Sequence, residues 1–140
     1  MTISFSRRLA FIFGVLAPLA ETARRWRQLG DLSVWPFWLD DFIMGALLIY
    51  GAWRTGKDIR SGRPFLVAAW GFTCGMVYSS FFAQLATLNA PDPAPISSAW
   101  VTAIKGVGLA LAILALVGSL KLPKEEVNEK LATQGKAAGA

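Results

Sequence analysis

Lys105 interrupts an otherwise uncharged run from Ser97 to Leu120, and Glu21, Asp40, Asp41 and Gln84 stand near the ends of three other apolar runs. An ammonium or carboxylate surrounded by hydrocarbon must be paired, hydrogen-bonded or neutralised by proton transfer. Residues of this type in this setting are candidates for a proton relay or for a polar cavity that takes a small ion or solute. On helices that alternate in direction, all five fall toward the same end. Lys105 is expected to pair with Asp41 or Asp40, since an isolated buried ammonium would lose its proton. Asp41 is the better partner because it shares a helix face with Gly45, Leu48 and Ala52, whereas Asp40 aligns with Met44 and Leu47. A purely structural role competes with this one. Carboxylates in the first turn of a helix are stabilised by free N–H groups and the macrodipole, and Glu21 has Arg24 and Arg25 three and four residues on.

Small residues form the second pattern. Gly71, Gly75, Ser79 and Ala83 recur every four residues, and Ala99, Ala103, Gly106 and Ala110 make a comparable stripe. In lipid, where apolar helices gain nothing by leaving the solvent, such stripes allow the close backbone approach that holds helices together. The expected contact is between these two helices of one chain; a homodimer face or a dock for another membrane protein is the alternative. The third pattern is basic. Arg54, Lys57, Arg60 and Arg63 crowd into RTGKDIRSGR and are expected to meet anionic lipid headgroups.

Enzymatic signatures are missing. The chain has no histidine for acid–base work, no Gly-x-Ser-x-Gly elbow and no phosphate-cradling glycine loop. One cysteine, Cys74, excludes an intrachain disulfide, and the usual ligands of zinc, haem and iron–sulfur clusters are lacking. No catalytic residue, metal or cofactor is expected. The net charge of +5 is spread through the loops and not gathered on one face, so membrane orientation accounts for it better than nucleic-acid binding.

These residues are positioned by apolar segments. With 54% hydrophobic and 16% charged residues, the 140-residue chain falls in the membrane class. Residues 64–88 run without a charged side chain and would extend about 37 Å as a helix, more than the roughly 30 Å of a hydrocarbon core. The expected fold is all-α, an integral membrane bundle of four transmembrane helices over about 6–25, 35–53, 64–88 and 98–120. It forms one domain over 1–123, followed by a polar cytoplasmic tail over 124–140 with a short surface helix from 124 to 133. Trp35-Pro36 and Pro64 are read as the starts of the second and third spans, Arg54 to Arg63 as a turn, and the three prolines of NAPDPAPI as the end of the third. Ser97 or Ser98 would cap the fourth. The first span is the shortest, with about 22 Å of helix between Arg8 and Arg24. Arg7 and Arg8 ahead of Leu9 to Ala20 also suit a signal sequence. Pro18 beside every plausible cleavage point favours a retained helix.

Counting Lys and Arg by side sets the orientation. Arg7, Arg8, Arg54, Lys57, Arg60, Arg63, Lys121, Lys124, Lys130 and Lys136 share one side, against Arg24, Arg25 and Arg27 on the other. The positive-inside rule then puts the N- and C-termini in the cytoplasm of an inner-membrane, multi-pass protein. Trp26, Trp35, Trp38 and Trp100 fall near the outer interface and Trp53 near the inner, with Trp70 deeper.

The stretch GVLAPLAETARRW resembles the first helix of the small multidrug resistance transporters, which use a glutamate there to exchange protons for cationic drugs; the resemblance implies that role for Glu21. Two departures stand against assigning the family. Arg24 and Arg25 would repel a cation within one turn of Glu21, and AWGFTCG stands where that family carries a tryptophan-serine-glycine signature. The sequence therefore leads to a non-enzymatic accessory or scaffold protein that packs against other membrane helices. A small proton- or ion-coupled transporter or channel, with a polar cavity in its outer half, is the alternative.

Overall fold

Thr2 opens the first helix, its hydroxyl accepting from Phe5 N at 3.4 Å, and α1 then runs Ile3–Arg24. A computed structural model describes residues 2–28, 30–88 and 97–121, and in it two short 3-10 turns, Trp26–Gln28 and Leu32–Val34, lead from α1 into α2 (Trp35–Lys57). Asp31 caps the second turn through Ser33 N at 2.9 Å. Asp58 is the only residue between α2 and α3 (Ile59–Ala86), and α4 is Ser98–Leu120. Among the described residues the architecture is all-helical, with four α-helices. Three of them, α1, α3 and α4, are long and apolar enough to cross a membrane. The proline-rich segment 89–96 and the tail from 122 to 140, with the short helix expected over 124–133, lie outside the described residues.

Two boundaries differ from expectation for identifiable reasons. RTGKDIRSGR is not a ten-residue turn: Asp58 accepts from Arg60 N at 3.0 Å and Ser61 N at 3.2 Å, an N-cap that starts α3 five residues before Pro64. Pro64 is thus carried inside the helix. α1 is a full 22 residues, about 33 Å, because it continues through Arg7 and Arg8 and through Pro18. The helix outside that set of three is α2, which carries Asp40, Asp41 and three tryptophans.

The helices stand in a ring. Each packs on its neighbours in the order α1, α2, α3, α4 and back to α1, which leaves α2 diagonal to α4 and α1 diagonal to α3. Glycines set the closest approaches. A Cβ on Gly14 would lie 2.9 Å from Gly45 O, and one on Gly45 would lie 2.5 Å from Gly14 O and 2.8 Å from Pro18 Cγ. Pro18 has no N–H to offer the Gly14 carbonyl, which turns instead to the Gly45 backbone, a setting for the Cα–H···O contacts found at helix interfaces. At the α2–α3 hairpin, a side chain on Gly51 would stand 2.9 Å from Leu66 Cα, and one on Gly62 would run into the backbone of Arg54 and Thr55.

Between these crossings lies an apolar core of Ala10, Met44, Leu48, Ala52, Leu66, Ala69, Trp70, Ala112 and Ala115. Trp70 is fully buried and meets Phe13 edge-on at 5.6 Å. Several buried hydroxyls return to their own helix: Thr55 donates to Gly51 O at 2.7 Å, Thr73 to Ala69 O at 2.8 Å and Ser119 to Leu116 O at 2.7 Å. That is how a polar side chain is satisfied where no water competes.

Candidate functional site

Gln84 lies one turn from the end of α3, 8% exposed, where the C-terminus of α1 and the N-terminus of α4 converge. Its side-chain oxygen accepts from Arg24 Nη2 at 3.3 Å and from Lys105 Nζ at 3.2 Å, while its amide nitrogen donates to Ser98 Oγ at 2.9 Å. One amide thereby ties three helices together. Lys105 also donates to Ser80 O at 3.5 Å. Arg24 reaches both oxygens of Glu21 at 3.1 and 3.2 Å, and Arg25 Nε donates to the same carboxylate. Local geometry makes these bonds possible, since residues three and four apart share a helix face. Beside the network, Trp38 Nε1 donates to Thr22 Oγ1 at 2.8 Å and Thr22 Oγ1 donates to Pro18 O at 2.6 Å, which fastens the start of α2 to the end of α1.

The structure joins Glu21 to Gln84 through Arg24, and Lys105 to the same Gln84 oxygen. The aspartates are placed differently. Asp41 is half-buried and within electrostatic range of Glu21, Arg25 and Lys105, yet among the described residues it forms no ion pair with any of them; Asp40 is exposed. The expected Lys105–Asp41 pair is therefore replaced by Lys105–Gln84. α2 and α4 are diagonal in the ring, and Gln84 on the intervening α3 accepts from the ammonium at 3.2 Å. Arg24 and Ser98 are members of this network that the expected polar cluster did not include. The signal for Arg24 was its spacing from Glu21, taken there only as local neutralisation.

The small-residue stripes do not face each other. The inward face of α3 is Gly62, Leu66, Ala69, Trp70, Thr73 and Gln84. At 100° per residue, Gly71, Gly75 and Ser79 lie roughly half a turn away and Ala83 about a quarter turn. All four are exposed, and a Cβ on Gly71 or Gly75 would meet nothing within 4 Å. On α4, Ala99, Ala103 and Ala110 are likewise exposed; Gly106 alone packs inward, where a Cβ would stand 3.1 Å from the Phe81 ring. The buried face of α4 carries other small residues instead, Ala112, Ala115, Gly118 and Ser119.

The basic residues gather at the opposite end of the bundle. Lys57 Nζ sits 3.9 Å from the Trp53 ring centroid and Arg54 Cζ 5.8 Å from that of Phe65. Arg63 Nη2 donates to Leu120 O at 3.4 Å, a bond from the first turns of α3 to the last carbonyls of α4. Hydrogen bonds from Ser61 and Arg60 hold the Asp58 carboxyl below the usual carboxylate range, and those from Ser33 do the same for Asp31.

Chemically, the Gln84 network is a set of charge-assisted hydrogen bonds in which each cation has an acceptor. It contains no nucleophile aligned with a base. Neither a protein-family model, nor a curated protein, nor a solved structure matches the chain.

Proposed function

We propose that the chain is a four-pass protein of the cell inner (cytoplasmic) membrane, both termini cytoplasmic, that acts without catalysis as an accessory or scaffold subunit. It packs against other membrane helices or a second copy of itself. The observation that carries this reading is the outward face of Gly71, Gly75, Ser79 and Ala83, open space where another backbone can come close. Residues 1–123 would be the membrane unit and 124–140 its cytoplasmic tail.

Several features support the bilayer setting. Leu16, Leu19, Ile104 and Val107 are more than half exposed on the outside of the helices, a surface that hydrocarbon solvates and water does not. Trp26, Trp35 and Trp100 are exposed toward one end and Trp53 toward the other, as interfacial anchors would be. α2 has 23 residues, as many as α4, so it can serve as the fourth pass with Asp40 and Asp41 in its opening turns near the headgroups. The excess of Lys and Arg on the side of the α2–α3 hairpin favours that side as cytoplasmic. The transporter alternative draws on the ionisable groups around Gln84. Below them the described core is apolar, and the buried hydroxyls of Thr55 and Thr73 bond to their own helices, which favours the non-transporting reading.

Crosslinking after mild extraction tests the proposal. Ser79→Cys in a Cys74→Ala background is expected to crosslink to one stoichiometric partner or to itself, and Gly75→Leu to abolish the product. A monomer without crosslinks, together with pH-dependent solute flux in liposomes, would favour the transporter instead.

A further inference from the structure

Along the outward side of α2, Ile43, Leu47, Tyr50, Arg54 and Lys57 follow one another at steps of three and four residues and form one stripe that runs from apolar to cationic. The first three are exposed and cover about 10 Å of helix. Rings support the cationic end. Tyr50 meets Trp53 at 6.1 Å and Phe65 of α3 edge-on at 5.5 Å, and all three rings are exposed. Lys57 Nζ stands over Trp53 and Arg54 Cζ over Phe65, so each cation is held above a ring. Among the described residues neither side chain has a hydrogen bond or an ion pair. Arg54 Nε is sealed from solvent without an acceptor, which leaves the terminal Nη donors for an acceptor from outside. Asp58 lies within electrostatic range of Arg54, but its two oxygens are engaged by Arg60 N and Ser61 N. The other two cations of the hairpin stand apart, since Arg60 and Arg63 share their surface with Leu120 of α4.

We propose that this stripe seats one anionic phospholipid, its phosphate held between Arg54 and Lys57 and an acyl chain lying over Tyr50, Leu47 and Ile43. The inference rests on the membrane reading above and narrows it from a diffuse basic surface to a single site. Charge complementarity selects the headgroup: residues three apart present both cations to one phosphate, the guanidinium as a planar fork and the ammonium as a point charge. The succession of aliphatic, aromatic and cationic side chains matches that of acyl chain, interface and headgroup, which selects a lipid over a free anion. Cations in the last turn also complement the α2 macrodipole, a role that needs no ligand.

The test uses the full chain reconstituted in vesicles of phosphatidylcholine with a minor share of phosphatidylglycerol, extracted mildly, with the retained lipids counted by native mass spectrometry. Wild-type protein is expected to retain one phosphatidylglycerol, enriched over its share in the vesicle. R54Q/K57Q should lower that enrichment on the order of tenfold, by loss of two interfacial cations. Y50A/F65A, which removes two exposed rings and leaves the charge unchanged, should lower it as well. R60Q/R63Q, which removes the same charge, should retain it. An unchanged enrichment in R54Q/K57Q would overturn the assignment, and a lowered thermal midpoint alongside it would give the two cations to the capping of α2. An equal fall in R60Q/R63Q would overturn it in favour of a diffuse field, and displacement of the lipid by millimolar inorganic phosphate in favour of a free anion. Failure of the protein to enter vesicles at all would overturn the membrane reading itself, an outcome distinct from these.

Discussion

Lys105 Nζ donates to Gln84 Oε1 at 3.2 Å, so the lysine inside α4 is held by a neutral amide on α3 and not by an aspartate on α2. The amide oxygen also serves Arg24, which makes Gln84 the residue whose loss strands the most charge. Replacing it by leucine is expected to cost about 1–3 kcal/mol, the penalty for buried donors that lose their acceptor. The change should appear as a lower thermal midpoint in detergent. Gln84→Glu, which keeps the acceptor, should restore most of the loss. Q84L and K105M should be less than additive in a double-mutant cycle, with a larger coupling than D41N and K105M show. A larger coupling for the Asp41 pair would return the lysine to the aspartate.

Gly45 and Gly71 separate two uses of the same residue type. A side chain at Gly45 would collide with the Gly14 carbonyl and the Pro18 ring, so Gly45→Leu is expected to destabilise the bundle by about 3 kcal/mol, the upper end of ordinary overpacking. Gly71 faces open space. Gly71→Leu should leave the thermal midpoint within about 0.5 kcal/mol of wild type while reducing association with a partner, as judged by crosslinking.

Asp58 gives the hairpin an acid dependence with a definite sign. Its carboxyl is held below the ordinary range by Ser61 and Arg60, so the cap stabilises the folded hairpin above the unfolded carboxylate pKa of about 3.9. The contribution is lost as pH falls through the lower folded value. Hydrogen exchange at the Arg60 and Ser61 amides, corrected for intrinsic rates, should accelerate as the cap protonates. Asp58→Ala should show the fast exchange at every pH, and Asp58→Asn should keep part of the protection.

Much of the helical layout could be read from residue order because long apolar runs and their breakers act locally. α4 begins at Ser98 and ends at Leu120 as expected, and α2 begins at Trp35. The hairpin is shorter than the turn expected over Arg54 to Arg63 because Asp58, a single residue, caps α3 through Arg60 N and Ser61 N. The stripe on α3 was misassigned because a period of four specifies a face without saying what it faces. Leu66 and Trp70, on the other side of the helix, had already claimed the interior. The partner of Lys105 depended on which helices are adjacent and which diagonal. No local signal encodes that order; it follows from the glycine crossings of α1 on α2 and α2 on α3.

The central claim is that the helices cross a bilayer with the Gln84 network on one side and the Asp58 hairpin on the other. Single cysteines at Asp31 and at Ser61, in a Cys74→Ala background, probed on intact cells with a membrane-impermeant thiol reagent, test it most directly. The account predicts labelling at position 31 from outside and at position 61 only after permeabilisation. Labelling of both positions from the same side would contradict it.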